Sequence, residues 1–119
     1  MNYKRPLLDH RVIEIFGLES KKIWDYNSIL PKVKEFSKRM DLKIIKESHH
    51  DFKPQGTTLI FVLSNSHLAI HTWPEDKYLH IDLVTCVPLL EDKKIKEIIK
   101  KSFNVLENQI KVRNLKYGN

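Results

Sequence analysis

Apolar residues along this chain recur in two rhythms, and the alternation between them divides the sequence into short elements. From Leu8 to Phe16 the run LDHRVIEIF sets Val12, Glu14 and Phe16 against Ile13 and Ile15, the pattern of a strand with at least one buried face. Gly17 punctuates its end. The segment from Ile23 to Met40 carries Ile29, Val33, Phe36 and Met40 at helical spacing. Asn27 or Ser28 is the expected cap, and Pro31 fits only the first turn, so the helix should begin near Asn27. Strand patterns return over Leu42–Ser48 and Thr57–Leu63, separated by HHDFKPQG, whose Pro54 and Gly56 mark a turn or loop. His67–Thr72 and Tyr78–Thr85 are two more strands around the turn WPEDK. A second helix follows over Glu91–Phe103, with Ile95, Ile98 and Ile99 on one stripe, and a last strand covers Asn108–Leu115.

The resulting order, β-α-β-β-β-β-α-β, has too few helical crossovers for a parallel doubly wound sheet. It predicts an α+β fold: a two-layer sandwich in which a largely antiparallel sheet carries two helices on one face. The other sheet face then needs a cover, and in so small a chain a second protomer is the natural one. With 119 residues the chain is one domain's worth, able to bury a single core but too short for a separate cofactor domain.

Charge and composition change this picture little. The net charge of +6 raises the question of nucleic acid, but lysines and arginines are interleaved with acids along the whole chain. A solvated, lysine-rich surface is the better reading, and no nucleic-acid partner is expected. No apolar run approaches the roughly 18 residues of a membrane span, so no membrane partner is expected either. The stretch MNYKRPLLDHRVIEIF lacks a continuous apolar core before a small-residue cleavage site, which predicts a cytoplasmic protein.

Candidate chemistry concentrates in one place. Between Ser64 and Cys86 the run SNSHLAIHTWPEDKYLHIDLVTC holds serines, three histidines, several acids and the single cysteine of the chain. Taken singly each has a plain structural role: Ser66 as a turn hydroxyl, His71 as a satisfied strand histidine, Trp73 as packing, Cys86 as a small buried residue. Zinc is a first chemical alternative, since His49, His50, His67, His71, His80 and Cys86 supply nitrogen and sulfur, but one cysteine and scattered histidines match no standard ligand spacing. No metal site is expected. A Cys-His nucleophile pair is conceivable, without any recognisable oxyanion-hole motif beside it.

Together these residues resemble the signature of the prokaryotic S-adenosylmethionine decarboxylases: a Ser-His pair, then HTWPE, then a strand ending in Thr-Cys. His10 and the block HHDFKPQGTT extend the likeness, so that it covers about Leu8 to Phe103. The resemblance implies a proenzyme that cleaves itself at Asn65-Ser66, giving chains of residues 1–65 and 66–119, with Ser66 converted to a pyruvoyl group. That covalent cofactor takes the place of pyridoxal phosphate, because an imine to the substrate amine accepts the electrons left by carbon dioxide. The resemblance further implies His71 as the processing base, Thr58 at the position of a processing serine, and Cys86 as the general acid that protonates the decarboxylated carbon. Glu75 would bind the ribose hydroxyls of S-adenosylmethionine, and Phe52 would stack on its adenine. The implied assembly is a homodimer or higher, with the active sites at its interface, and the implied pathway is spermidine biosynthesis.

Two positions depart from the family pattern: Asn65 stands where glutamate is usual, and Val87 replaces the glycine after Cys86. The acyl shift needs only the carbonyl of residue 65 and the hydroxyl of residue 66. Val87 would shift the thiol if the turn there required a positive φ. Two rival readings remain open on the sequence: a pyruvoyl decarboxylase of another amino acid such as ornithine or arginine, and a non-processed, non-catalytic relative.

Overall fold

The computed structural model describes residues 3–19 and 24–117. Six strands and two helices alternate in the expected order: β1 (Asp9–Ile15), α1 (Tyr26–Arg39), β2 (Ile44–Asp51), β3 (Thr57–Leu63), β4 (Ser66–Trp73), β5 (Tyr78–Thr85), α2 (Asp92–Phe103) and β6 (Ile110–Leu115). The strands form a single sheet in the order β2-β3-β4-β5-β1-β6, and every neighbouring pair is antiparallel. Strand alternation aims Ile13, Ile15, Leu59, Phe61, Leu68, Ile70, Leu79, Ile81 and Leu83 into one core, where they meet Ile29, Val33 and Phe36 of α1 and Ile95, Ile99 and Phe103 of α2. Each of these buried side chains stabilises the fold by about 1.5–3 kcal/mol relative to exposure. The α+β two-layer sandwich is therefore as the sequence predicts.

Local boundaries differ in instructive ways. Helix α1 is capped two to three residues earlier than its polar candidates suggest: Asp25, not Asn27 or Ser28, is the cap, and its carboxylate accepts from the Ser28 amide at 2.8 Å. Pro31 thereby falls inside the helix beyond its first turn, where the burial of Ile29, Val33 and Phe36 outweighs the missing backbone bond. Ile23, where the apolar pattern begins, lies outside the described residues. Strand β2 continues through His49 and His50, which the sequence assigned to a turn, because pairing with Leu59 and Thr58 of β3 satisfies their backbone groups. The last strand begins only at Ile110, after a short 3-10 turn over Glu107–Gln109.

One charge is buried inside the framework. Arg11, 5% exposed, donates to Asp9 at 2.8 Å, and to Asp92 and the Leu90 carbonyl at 2.9 Å each. It is fully partnered, so it ties β1 to the start of α2 instead of destabilising the core.

The opposite sheet face is different in kind. It presents His10, Val12, Glu14, Thr58, Ile60, Val62, His67, Ala69, His71, Trp73, Tyr78, His80, Asp82 and Val84, most of them half-buried or exposed, and both helices lie on the other side. Polar and apolar residues mix here, and all of the candidate chemistry gathers on this face or at its ends.

Candidate active site

At one end of β4, Thr58 on β3 pairs with His71 on β4, and His71 pairs with His80 on β5. Their side chains share the outer face, and the Thr58 hydroxyl lies 3.0 Å from His71 Nδ1. If Nδ1 carries its proton toward Thr58, the opposite ring nitrogen keeps a free lone pair, the requirement for a base. Burial pushes the His71 pKa below its ordinary 6.5; the nearby His80 lowers it further, and Asp82 partly offsets the shift. The ring is thus neutral and ready to accept a proton near neutral pH.

A cavity of about 730 Å³ opens beside this pair, lined by Phe52, Lys53, Pro54, Gln55, Thr58, His71, Thr72, Trp73 and Glu75. Its volume suits a ligand of drug size. The loop that carries Phe52 is held by its own chemistry: the Phe52 amide donates to the Gly56 carbonyl at 2.8 Å, and Gly56 sits at φ +99°. A Cβ at Gly56 would come within 3.2 Å of the Thr72 carbonyl oxygen, so the loop closes onto β4 only because residue 56 has no side chain. Thr72 completes the latch, its hydroxyl accepting from the Thr57 amide at 2.9 Å. Phe52 remains 50% exposed at the cavity rim, against the edge of His50.

The other end of β4 holds the backbone candidates. Ser64 and Asn65 form a two-residue turn between Leu63 and Ser66, which pair with each other across the β3–β4 hairpin. Ser66 has φ +140°, a conformation that costs a non-glycine residue about 1–3 kcal/mol. The Asn65 carbonyl accepts from the Cys86 amide at 3.0 Å, while the Asn65 side-chain oxygen is buried without a hydrogen-bond partner. Cys86 is exposed, in contrast to a small buried residue, directly after Thr85, which pairs with Ser66. The turn beyond it needs no positive φ at Val87; the Thr85 hydroxyl fixes the Val87 carbonyl at 2.7 Å instead. The feared strain from replacing glycine does not arise.

The sequence-derived residues thus fall into two groups. Thr58, His71, Phe52 and Glu75 surround one cavity, whereas Asn65, Ser66 and Cys86 meet at the far end of the same strand. Five residues of extended chain separate Ser66 from His71, roughly 16 Å. Among the described residues no cluster of three His, Cys, Asp or Glu side chains is arranged to hold a metal ion, and no helix is long and apolar enough to cross a membrane.

A family model described as S-adenosylmethionine decarboxylase matches residues 9–116. The chain belongs to the S-adenosylmethionine decarboxylase family. It is 32% identical over 109 residues to the S-adenosylmethionine decarboxylase proenzyme of Clostridium botulinum (strain Langeland / NCTC 10281 / Type F), covering 92% of each chain. It is 38% identical over 82 residues to the proenzyme of the same name from Methanococcus maripaludis (strain C5 / ATCC BAA-1333), covering 69% of this chain and 67% of that one. The crystal structure of the adenosylmethionine decarboxylase from Aquifex aeolicus VF5 superposes with a TM-score of 0.78 at 25% identity, over 98% of this chain and 94% of that one.

The structure also groups His80 and His10 with Glu14, Tyr78, Asp82 and Tyr117, which sequence reasoning had not singled out. Tyr78, His80 and Glu14 form a hydrogen-bonded group beside His71, and His10 joins Asp82 at 2.7 Å and Tyr117 at 2.8 Å. Strand alternation placed Tyr78, His80 and Asp82 on one face, but only the sheet order brings Glu14 and His10 of the first strand beside them.

Proposed function

We propose that this chain is the proenzyme of a pyruvoyl-dependent S-adenosylmethionine decarboxylase that cuts itself between Asn65 and Ser66. The observation that carries the reading is the backbone at the β3–β4 turn: a serine at φ +140°, preceded by a carbonyl already held by the Cys86 amide. Ser66 Oγ attacks the Asn65 carbonyl carbon, and the peptide C–N bond gives way to an ester as the nitrogen takes up the hydroxyl proton. A donor aimed at that carbonyl oxygen stabilises the negative charge of the tetrahedral stage, and relief of the unfavourable φ favours the same direction. Asn65 contributes its backbone only, so replacement of the usual glutamate leaves the step intact.

His71 then takes the Cα proton of residue 66 while the ester Cβ–O bond breaks, releasing Asn65 as a new C-terminal carboxylate. Tautomerisation, addition of water and loss of ammonia leave a ketone at the new N-terminus of the 66–119 chain. That pyruvoyl group supplies an electron sink for the departing carbon dioxide. The exposed Cys86 thiol, one residue beyond the strand partner of Ser66, delivers a proton to the α-carbon of the decarboxylated substrate. Phe52 stacks on the adenine and Glu75 accepts from the ribose hydroxyls. The product is the aminopropyl donor for spermidine synthesis. The retained Phe52 and Glu75 favour S-adenosylmethionine over ornithine or arginine, which have neither adenine nor ribose.

The roughly 16 Å between Ser66 and His71 exceeds any direct proton transfer. A second copy of the chain against the open sheet face removes the difficulty, with the Ser66 and Cys86 of one protomer facing the His71, Thr58, Phe52 and Glu75 of its partner. A homodimer with two shared sites is the minimal assembly for this chemistry.

Denaturing mass spectrometry tests the cleavage: two fragments divided at 65/66 are expected, the larger-numbered one bearing a carbonyl that borohydride reduces. A folded protein that stays whole overturns the reading. Carbon dioxide release from S-adenosylmethionine, compared with ornithine and arginine, tests the substrate. Mixing Ser66→Ala with His71→Ala protomers tests the shared site. The two variants together should restore cleavage of the His71→Ala chain, and failure of mixed dimers to do so would leave each site within one chain.

A further inference from the structure

The register aligns one polar row straight across the sheet. Thr58, His71, His80, Glu14 and Lys111 stand opposite one another on β3, β4, β5, β1 and β6. Within it, Tyr78 donates its hydroxyl proton to Glu14 at 2.8 Å, and the same phenol oxygen lies 2.8 Å from His80 Nδ1. A phenol has one proton. With that proton committed to the carboxylate, the oxygen accepts, so His80 Nδ1 is the donor. Arg113 anchors the far side, donating to Glu14 at 2.9 Å. Tyr78 and Arg113 hold the Glu14 carboxyl below its ordinary range, whereas burial and Glu14 drive the Tyr78 phenol far above its own.

We propose that His80 is a positioning residue for self-cleavage: clamped by Tyr78 and Glu14 beside His71, it keeps the His71 imidazole neutral and available to take the α-proton of residue 66. The proposal rests on His71 being the elimination base. Its physical basis is proximity, since the two imidazole rings lie 6.1 Å apart, and a proton on one disfavours a proton on the other. The clamp fixes where the His80 ring stands relative to His71. His80 reaches a carboxylate through one phenol, while His71 has only the neutral Thr58 hydroxyl and is half-buried. Of the remaining charged groups on the face, Asp82 opposes His80 by favouring a proton on His71, and His67 on β4 lies 3.8 Å from that carboxylate. Asp82 on β5 is already engaged by His10 at 2.7 Å, Lys111 on β6 turns over the Phe16 ring, and Arg113 is bound to Glu14. His50 on β2 lies beyond Thr58, packed against Phe52.

Nuclear magnetic resonance titration of the histidine side chains tests this directly in Ser66→Ala protein, which needs no cleavage to be informative. His71 is expected to titrate below 6.5. His80→Gln should move the His71 midpoint upward, and His80→Lys, which restores a cation, should hold it low. An unmoved midpoint in His80→Gln, or equal movement in Gln and Lys, would overturn the proposal. Tyr78→Phe, which leaves the histidine in its strand and cuts the tether, should shift His71 in the same upward direction, and no shift would remove the clamp from the argument. In chains with Ser66 intact, pulsed synthesis followed by mass spectrometry should show His80→Gln cleaving about three- to ten-fold more slowly than wild type at pH 6, with the difference fading toward pH 8. A wild-type chain that never cleaves would defeat the elimination role of His71 while leaving the titration coupling measurable.

Discussion

The two ends of β4 are built in opposite ways. At the Ser66 end the notable features are in the backbone turn, a carbonyl held by the Cys86 amide and a serine in an unfavourable φ, with the exposed Cys86 thiol beside them. At the His71 end the backbone is regular strand, and side chains do everything: Thr58 fixes one nitrogen, His80 and Tyr78 flank the ring, and the cavity opens beside it. The difference shows what a single strand can and cannot do. It can carry a strained bond and a tuned base in one register, but a regular strand holds them apart by its own rise. Local strain is cheap to place at a hairpin turn, where only one residue must adopt it. A tuned imidazole needs neighbours on several strands, which only the middle of a sheet provides.

The comparison can be broken most completely at the backbone end. Ser66→Ala removes the hydroxyl proposed to attack, so denaturing mass spectrometry should find one intact species and no carbon dioxide release. Turnover by that variant would mean the electrophile lies elsewhere. At the other end, His71→Ala should slow cleavage by about 100- to 10,000-fold, the usual contribution of a general base. A loss below ten-fold would deny the ring that role. With His71 present, the cleavage rate should rise with pH to a plateau whose acid limb lies below 6.5, because burial lowers the pKa and only the neutral ring accepts a proton.

Smaller effects sharpen the contrast. Phe52→Ala leaves both the turn and the base in place and should raise the KM for S-adenosylmethionine by about 5- to 150-fold, the equivalent of about 1–3 kcal/mol for stacking on a base. An equal loss in the rate of self-cleavage would instead make Phe52 part of processing. Thr58→Val keeps the shape and removes one hydrogen bond of about 0.5–1.5 kcal/mol, so cleavage should slow by about 2- to 12-fold. An unchanged rate would show that the His71 ring is held without it.

Much of the fold was legible in the periodicity alone. The stripe Ile29, Val33, Phe36 and Met40 is buried as its spacing requires, and strand β5 has the expected limits at both ends. The misreadings have local causes. Asp25 outcompeted the expected caps because its carboxylate reaches the Ser28 amide, and the two histidines of β2 became strand because β3 offered them partners. A short polar run next to a proline reads as a turn until a neighbouring strand is known.

The sequence by itself determined which residues carry chemistry and how they alternate. Ser66, His71, Glu75 and Cys86 are proposed as those residues because their order and spacing resemble the decarboxylase signature. Tertiary structure decided what stands beside what. That the Cys86 amide meets the Asn65 carbonyl, that Glu14 from the first strand reaches Tyr78, and that Cys86 stands beside the β3–β4 turn while His80 stands beside His71 all depend on strand order and register. Pairing between distant segments is a collective property of the whole sheet, set by which faces must be buried together, and no single stretch of sequence contains it.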